Sequence, residues 1–194
     1  MIQVRNETMR NAPHEMTIGD FEKVTTALND KTDGIIDRYA KVFHILGLSK
    51  DLIEDLESDE FNALIREFTD QSKAVPSECV PSIEIDGVKY VAFTDSLKIK
   101  VKDMKLIEKF VGIGTSWVAE MMGVLFKKEG LSNMEHYDVN HIKHKAKMFR
   151  EKVTADVAFP YMMELSGRMV QSLQKETNAD KTTTTEGVVR TIDW

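Results

Sequence analysis

The chain has 194 residues, enough for one domain with a sizeable core but short for two independent ones. It is 42% hydrophobic and 30% charged, and 26 basic against 32 acidic residues leave a net charge of −6, the wrong sign for a protein whose main task is to coat nucleic acid. Its longest apolar run, Met121 to Phe126, is far too short to span a bilayer, which excludes a membrane-spanning role.

Residues 1–16 show little periodicity and read as an N-terminal arm. They contain neither the apolar stretch nor the small-residue cleavage site of a secretory signal. Cys79 is the single cysteine, so no internal disulfide and no thiolate metal site can form, and the expectation is a chain that stays in a reducing cytoplasm. The body, 17–176, opens with Thr17 as a helix cap, Asp20 three residues on, and Ile18, Phe21, Val24 and Leu28 on one face. A second helix carries the wide stripe Ile35, Ile36, Tyr39, Val42, Phe43 and Leu46, and Gly47 stops it. Ser49 caps a short helix to Leu56, and Ser58 caps another with Phe61, Leu64, Ile65 and Phe68 facing inward.

Pro76 and Pro81 bracket an extended linker, because helix is disfavoured at and before proline. A β-hairpin follows over 82–93, where Asp86-Gly87 separates SIEI from VKYVAF. The type I′ turn needs positive φ at both central residues, and Asp-Gly supplies it. In LKIKVK, Leu97, Ile99 and Val101 alternate with Lys98, Lys100 and Lys102, the pattern of a third strand with a lysine-protected edge. Helix is expected again from Asp103, breaks at Gly112 to Gly114, and resumes through Trp117, Met121, Met122 and Phe126 to Lys128. A loop from Glu129 to Tyr137 leads to a basic helix over 138–152 with Ile142, Ala146 and Phe149 inward. Thr154 caps a last long helix in which Pro160 marks a kink or break. Residues 177–194 form a polar, threonine-rich C-terminal arm. The fold class expected is therefore α+β, mainly α-helical: a helical body with a central β-hairpin or three-stranded antiparallel sheet, and extended terminal arms.

Each candidate for chemistry has a plainer structural reading. GIGTSW, from Gly112 to Trp117, lacks the Gly-Lys-Ser/Thr ending of a phosphate loop and reads as a helix separator capped by Thr115. His141 and His144 are one helical turn apart with His136 nearby. No acidic ligand completes a metal site, and Lys143, Lys145 and Lys147 would repel a cation. The same helix, with Arg150 and Lys152, carries enough base to touch a nucleic-acid backbone, but no surface aromatics interleave and it reads as a solvated face. Glu54 with Asp55 and Asp59 with Glu60 sit at helix ends or turns, not as an acid and base pair. Met121, Met122, Met162, Met163 and Met169 fill core gaps before they form a binding groove. With no nucleophile, base and orienting group to bring together, neither an enzyme nor a cofactor is expected.

The chain ends carry β-like runs beyond the helical pattern. Ile2 and Val4 at one end, and Val188, Val189, Ile192 and Trp194 at the other, suit addition of a strand to a neighbouring molecule, with the indole as anchor. They are the expected protein interface.

The order TIGDFEKV, then HILGLSKDLIEDLESDEFNAL, then IEIDGVKYVAF, then KMFREKVTADVAFPYMM resembles the small tail-assembly proteins of tailed bacteriophages, including those called tail assembly chaperones. The likeness spans Met16 to Met163 and lies in order and spacing. It implies work by protein contact in a phage neck or tail, without catalysis, in the host cytoplasm during assembly and then in the virion. The partners implied are other virion or tail proteins and further copies of the chain. The ends depart from the family: a subunit built into a ring or tube needs two arms, and a transient chaperone does not.

Overall fold

A computed structural model describes residues 1–71, 78–92, 101–111 and 117–165, which form an α+β fold that is mainly helical. The chain divides into two units, 1–160 and 161–194; of the second, the described residues 161–165 are helical.

The first sixteen residues are a folded part of the first unit. Strand β1 (Ile2–Val4) pairs antiparallel with β2 (Glu7–Met9), and Ile2, 5% exposed, lies opposite Met9 with both side chains in the hydrophobic core. This corrects the reading of 1–16 as an arm and of Ile2 and Val4 as a free interface. Burying Ile2 and Met9 gives the hairpin a reason to fold back on its own chain. Polar contacts hold it there. Arg5, at the turn with φ 51°, reaches Asp55 and Glu60. Ser49 donates its backbone N–H and its hydroxyl to Glu7 (both 2.6 Å), and the Arg10 N–H donates to the Leu46 carbonyl (3.0 Å).

Helix α1 (Ile18–Asn29) starts as its sequence predicts, with a reciprocal cap: the Asp20 N–H donates to the Thr17 hydroxyl (3.1 Å) and the Thr17 N–H to the Asp20 carboxylate (3.3 Å). Helices α2 (Ile35–Ile45), α3 (Lys50–Glu54) and α4 (Ser58–Gln71) follow. Phe43 packs edge-on against Phe61 (5.4 Å between centroids) and Phe68 (6.3 Å), beside Val42, Leu46 and Leu64. The wide stripe of α2 is only half used, for Val42 and Phe43 are sealed while Ile35 and Ile36, expected inside, stand 63% and 65% exposed.

The central hairpin is as expected. Strands β3 (Ser82–Ile85) and β4 (Val88–Ala92) join through Asp86 (φ 52°) and Gly87 (φ 74°), the two positive φ values of the predicted turn. In the described sheet the strand beside β4 comes from another part of the chain than the expected lysine-alternating segment. Leu97, Ile99 and the lysines at 98 and 100 lie outside the described residues, and Val101 already begins helix α5 (Val101–Val111). Strand β5 (Phe126–Lys128) takes that place beside β4, directly after helix α6 (Val118–Leu125). The expected helix to Lys128 stops at Leu125 because Phe126 turns extended (φ −104°, ψ 121°) and is drawn into the sheet opposite Ala92. Helices α7 (Asn133–His136) and α8 (Val139–Lys152) follow, α8 capped by Asp138, and residues 155–165 make a last helix, α9, that continues past Pro160. Ile83, Ile85, Val88, Tyr90 and Phe126 share the inner face of the sheet, and Phe149 of α8 meets both Tyr90 (5.3 Å) and Phe126 (6.2 Å) edge-on.

A bridge between Thr17 and Thr154 ties the start of α1 to the start of α9: the Ile18 N–H donates to the Val153 carbonyl and the Ala155 N–H to the Met16 carbonyl, both at 2.8 Å. Gly19 lets α8 come this close, since a Cβ there would sit 2.8 Å from the Arg150 backbone oxygen and Cγ.

Candidate functional site

The residues expected to carry the interface divide. Ile2 and Val4 belong to the intramolecular hairpin, and Val188, Val189, Ile192 and Trp194 lie outside the described residues, as do Gly112 to Ser116 of the glycine loop. Among the described residues, no group of three or more His, Cys, Asp or Glu side chains is placed to hold a metal, and no helix is long and apolar enough to cross a membrane.

The basic helix α8 is the most altered by folding. Lys145 is 2% exposed and donates to the Phe126 carbonyl (2.8 Å) and to His136 Nδ1 (3.2 Å). His136, fully buried, points Nε2 at the Val124 carbonyl (3.0 Å). A carbonyl only accepts, so Nε2 carries the proton and Nδ1 offers its lone pair to Lys145, which fixes a neutral imidazole in one tautomer. Burial, with the nearby Lys145 charge second, pushes His136 down to about 3, and burial pushes Lys145 down to about 7. The pair closes the outer edge of β5 and pins α7 to α6 and α8.

Arg150 of the same helix is also spent inside the fold. Its Nε donates to Glu22 (2.6 Å) and its Nη2 to both oxygens of Glu120 (2.9 Å each). Glu22, 4% exposed, accepts a further bond from the Ala119 N–H (3.1 Å), so a carboxylate on α1 is held by a guanidinium on α8 and a backbone donor on α6. This cluster floors an open cleft of about 530 Å³ rimmed by Lys23, Asp30 and Lys41. Lys152 pairs with Asp86 of the hairpin turn. Of the five basic side chains Lys145 is buried and Arg150 half-buried, and of the exposed three Lys152 is paired with Asp86, so the helix does not present the full basic stripe that its sequence spells. His144 is exposed and His141 half-buried.

Both internal clusters could have been read from spacing. Positions 142, 145, 146 and 149 fall on one helical face, so Lys145 occupies an apolar-stripe position, and Glu22 follows Ile18 by one turn of α1. A charge at a core position signals a buried polar contact.

Among the described residues of the first unit, the large apolar side chains that stand outward are Met1 at the chain start and the adjacent pair Ile35 and Ile36, at the open start of α2, flanked by Asp33 and Asp37. Neighbouring Asp33 is engaged by Lys41, whose ammonium it raises above the ordinary lysine range. The two adjacent aliphatic side chains stand in water at a helix start whose N-cap, Gly34, supplies no side-chain cap. No family of known proteins, no curated protein and no solved structure matches this chain.

Proposed function

We propose that this chain is a bacteriophage assembly protein that acts by protein–protein contact in the neck or tail of the virion, as a ring- or tube-forming subunit present in several copies. It works in the host cytoplasm during assembly and remains in the virion. The observation that carries this reading is the exposed Ile35 and Ile36 pair, a ready contact for another protein on a fold whose buried Lys145 and Glu22 are engaged in internal contacts. The ordered likeness of Met16 to Met163 to phage tail-assembly proteins supplies the setting.

One observation favours a second reading, a tail assembly chaperone that leaves before the particle is finished. The N-terminal hairpin is occupied with its own core, which removes one of the two arms that set a built-in subunit apart from a chaperone. Quantitative mass spectrometry of purified virions separates the two. Stoichiometric copies support the subunit. Absence from virions, together with failure of tails to form in its absence, supports the chaperone. Complete tails formed without the chain would sink both.

A further inference from the structure

The small sheet has two edges, and the fold treats them differently. On β5 the outward Phe126 N–H is taken by the Met122 carbonyl, the Phe126 carbonyl by Lys145 and the Lys128 carbonyl by the Leu131 N–H. On β3 the two-residue turn makes Ile85 with Val88, and Ile83 with Tyr90, the hydrogen-bonded pairs, so the N–H and C=O groups of Ser82 and Glu84 point away from β4. Those backbone groups have no hydrogen-bond partner among the described residues. Neither lysine nor proline lies within β3 to discourage pairing, and Ile83 is only half-buried on the inner face.

The geometry points to a second copy of this chain as the occupant of the edge, with β3 pairing antiparallel to the partner copy's β3 about a two-fold axis at Ile83. The register is self-complementary. Ser82 of each copy meets Glu84 of the other and exchanges two backbone hydrogen bonds with it, while the two Ile83 side chains come together at the close, non-hydrogen-bonded position. Each Glu84 carboxylate faces a serine hydroxyl across the joint and keeps Lys89 opposite it within its own hairpin, so like charges are never directly opposed. A joint of one short strand is weak alone and gains from repetition in an assembly. The inference goes beyond the phage reading, because self-association of the purified chain does not depend on what else the chain binds.

Analytical ultracentrifugation of the full chain over a concentration series is the test, with Glu84→Pro as the first variant. Proline at 84 removes an N–H that points outward and leaves the β3 to β4 ladder intact, so helicity by circular dichroism should be unchanged while self-association falls about tenfold or more. Ile83→Cys in a Cys79→Ser background is the second variant, since facing Cα atoms about 4.5 Å apart in that register lie within disulfide reach. Oxidation should yield a linked dimer from Ile83→Cys and little from Glu84→Cys. A chain that stays monomeric at all concentrations, a dimer indifferent to Glu84→Pro, or equal crosslinking at 83 and 84 overturns the proposal. A dimer lost instead through Ile192→Asp and Trp194→Asp assigns the edge to the C-terminal segment and overturns it equally. None of these results alters the virion mass spectrum, so the two readings fail separately.

Discussion

Phe43 and Lys145 are both sealed from solvent, one in residues 1–71 and the other in the region from β3 to α8, yet they are kept there on different terms. Around Phe43 the neighbours are apolar, and the nearby ion pairs of Arg5 with Asp55 and Glu60 lie toward the surface. Around Lys145 and Arg150 the core contains ionisable groups that must be satisfied one by one. The first arrangement depends on volume and the second on protons and partners. The two regions should therefore respond to different insults.

The largest effect should come from volume. Phe43→Ala is expected to cost about 4 kcal/mol in urea unfolding, from lost burial and the cavity left among Phe61, Phe68 and Leu46. Glu22→Ala should cost about 3 kcal/mol, because it strands the buried Ala119 N–H and deprives the half-buried Arg150 of one partner. A loss as small as that of a surface ion pair would show that the second region is wetter than its contacts imply.

Lys145→Met separates the regions by pH. Lys145 is lowered in the folded chain to about 7, so between about 7 and its unfolded value near 10.5 the unfolded state holds the extra proton and stability rises with pH. Below about 7 both states are charged and the full penalty stands. The variant should lose that slope, being less stable than the parent near pH 10, where it lacks two hydrogen bonds, with the gap closing or reversing toward pH 7. Paired denaturation curves at the two pH values read the difference. His136, lowered to about 3, acts in the acid range: stability should fall as pH drops from about 6.5 toward 3, and His136→Leu should blunt that fall. Phe43→Ala should show neither dependence. Thr17→Ala, which removes only a cap, should cost about 1 kcal/mol. Smallest of all for stability, Ile35→Ser with Ile36→Ser should change it by less than about 0.5 kcal/mol, and under the proposed phage function should reduce assembly of tails, which electron microscopy of lysates would count.

The elements with strong local signals were legible. Thr17 with Asp20 and Asp86 with Gly87 act within a few residues, and the structure shows the cap and the turn where the residues put them. Features decided by distant parts of the chain were not. The turn at Arg5 and Asn6 has no glycine to announce it, and the hairpin around it is held by Leu46, Ser49 and Asp55, about forty to fifty residues away. Phe126 to Lys128 look like the end of a helix until β4 is available to pair with them. Lysines at 98 and 100 suggest an edge strand by alternation, but alternation says nothing about which strand lies nearest. Ile2 and Ile35 are equally apolar, and only packing decides that the first is buried and the second exposed.

The link from Glu22 to Arg150 spans 128 positions of chain, and the crossed bonds at Thr17 and Thr154 span slightly more. On a ribosome, α1 is synthesised long before its guanidinium partner, and Glu22 must wait in water until Arg150 has left the exit tunnel. The N-terminal helices therefore cannot complete their native contacts early, and the last steps of folding close a long loop whose entropy slows the reaction. The same link makes completion a check on synthesis: a chain cut short before residue 150 leaves an unpaired carboxylate on α1 and a core without its lid, a species that chaperones and proteases can tell from the finished protein.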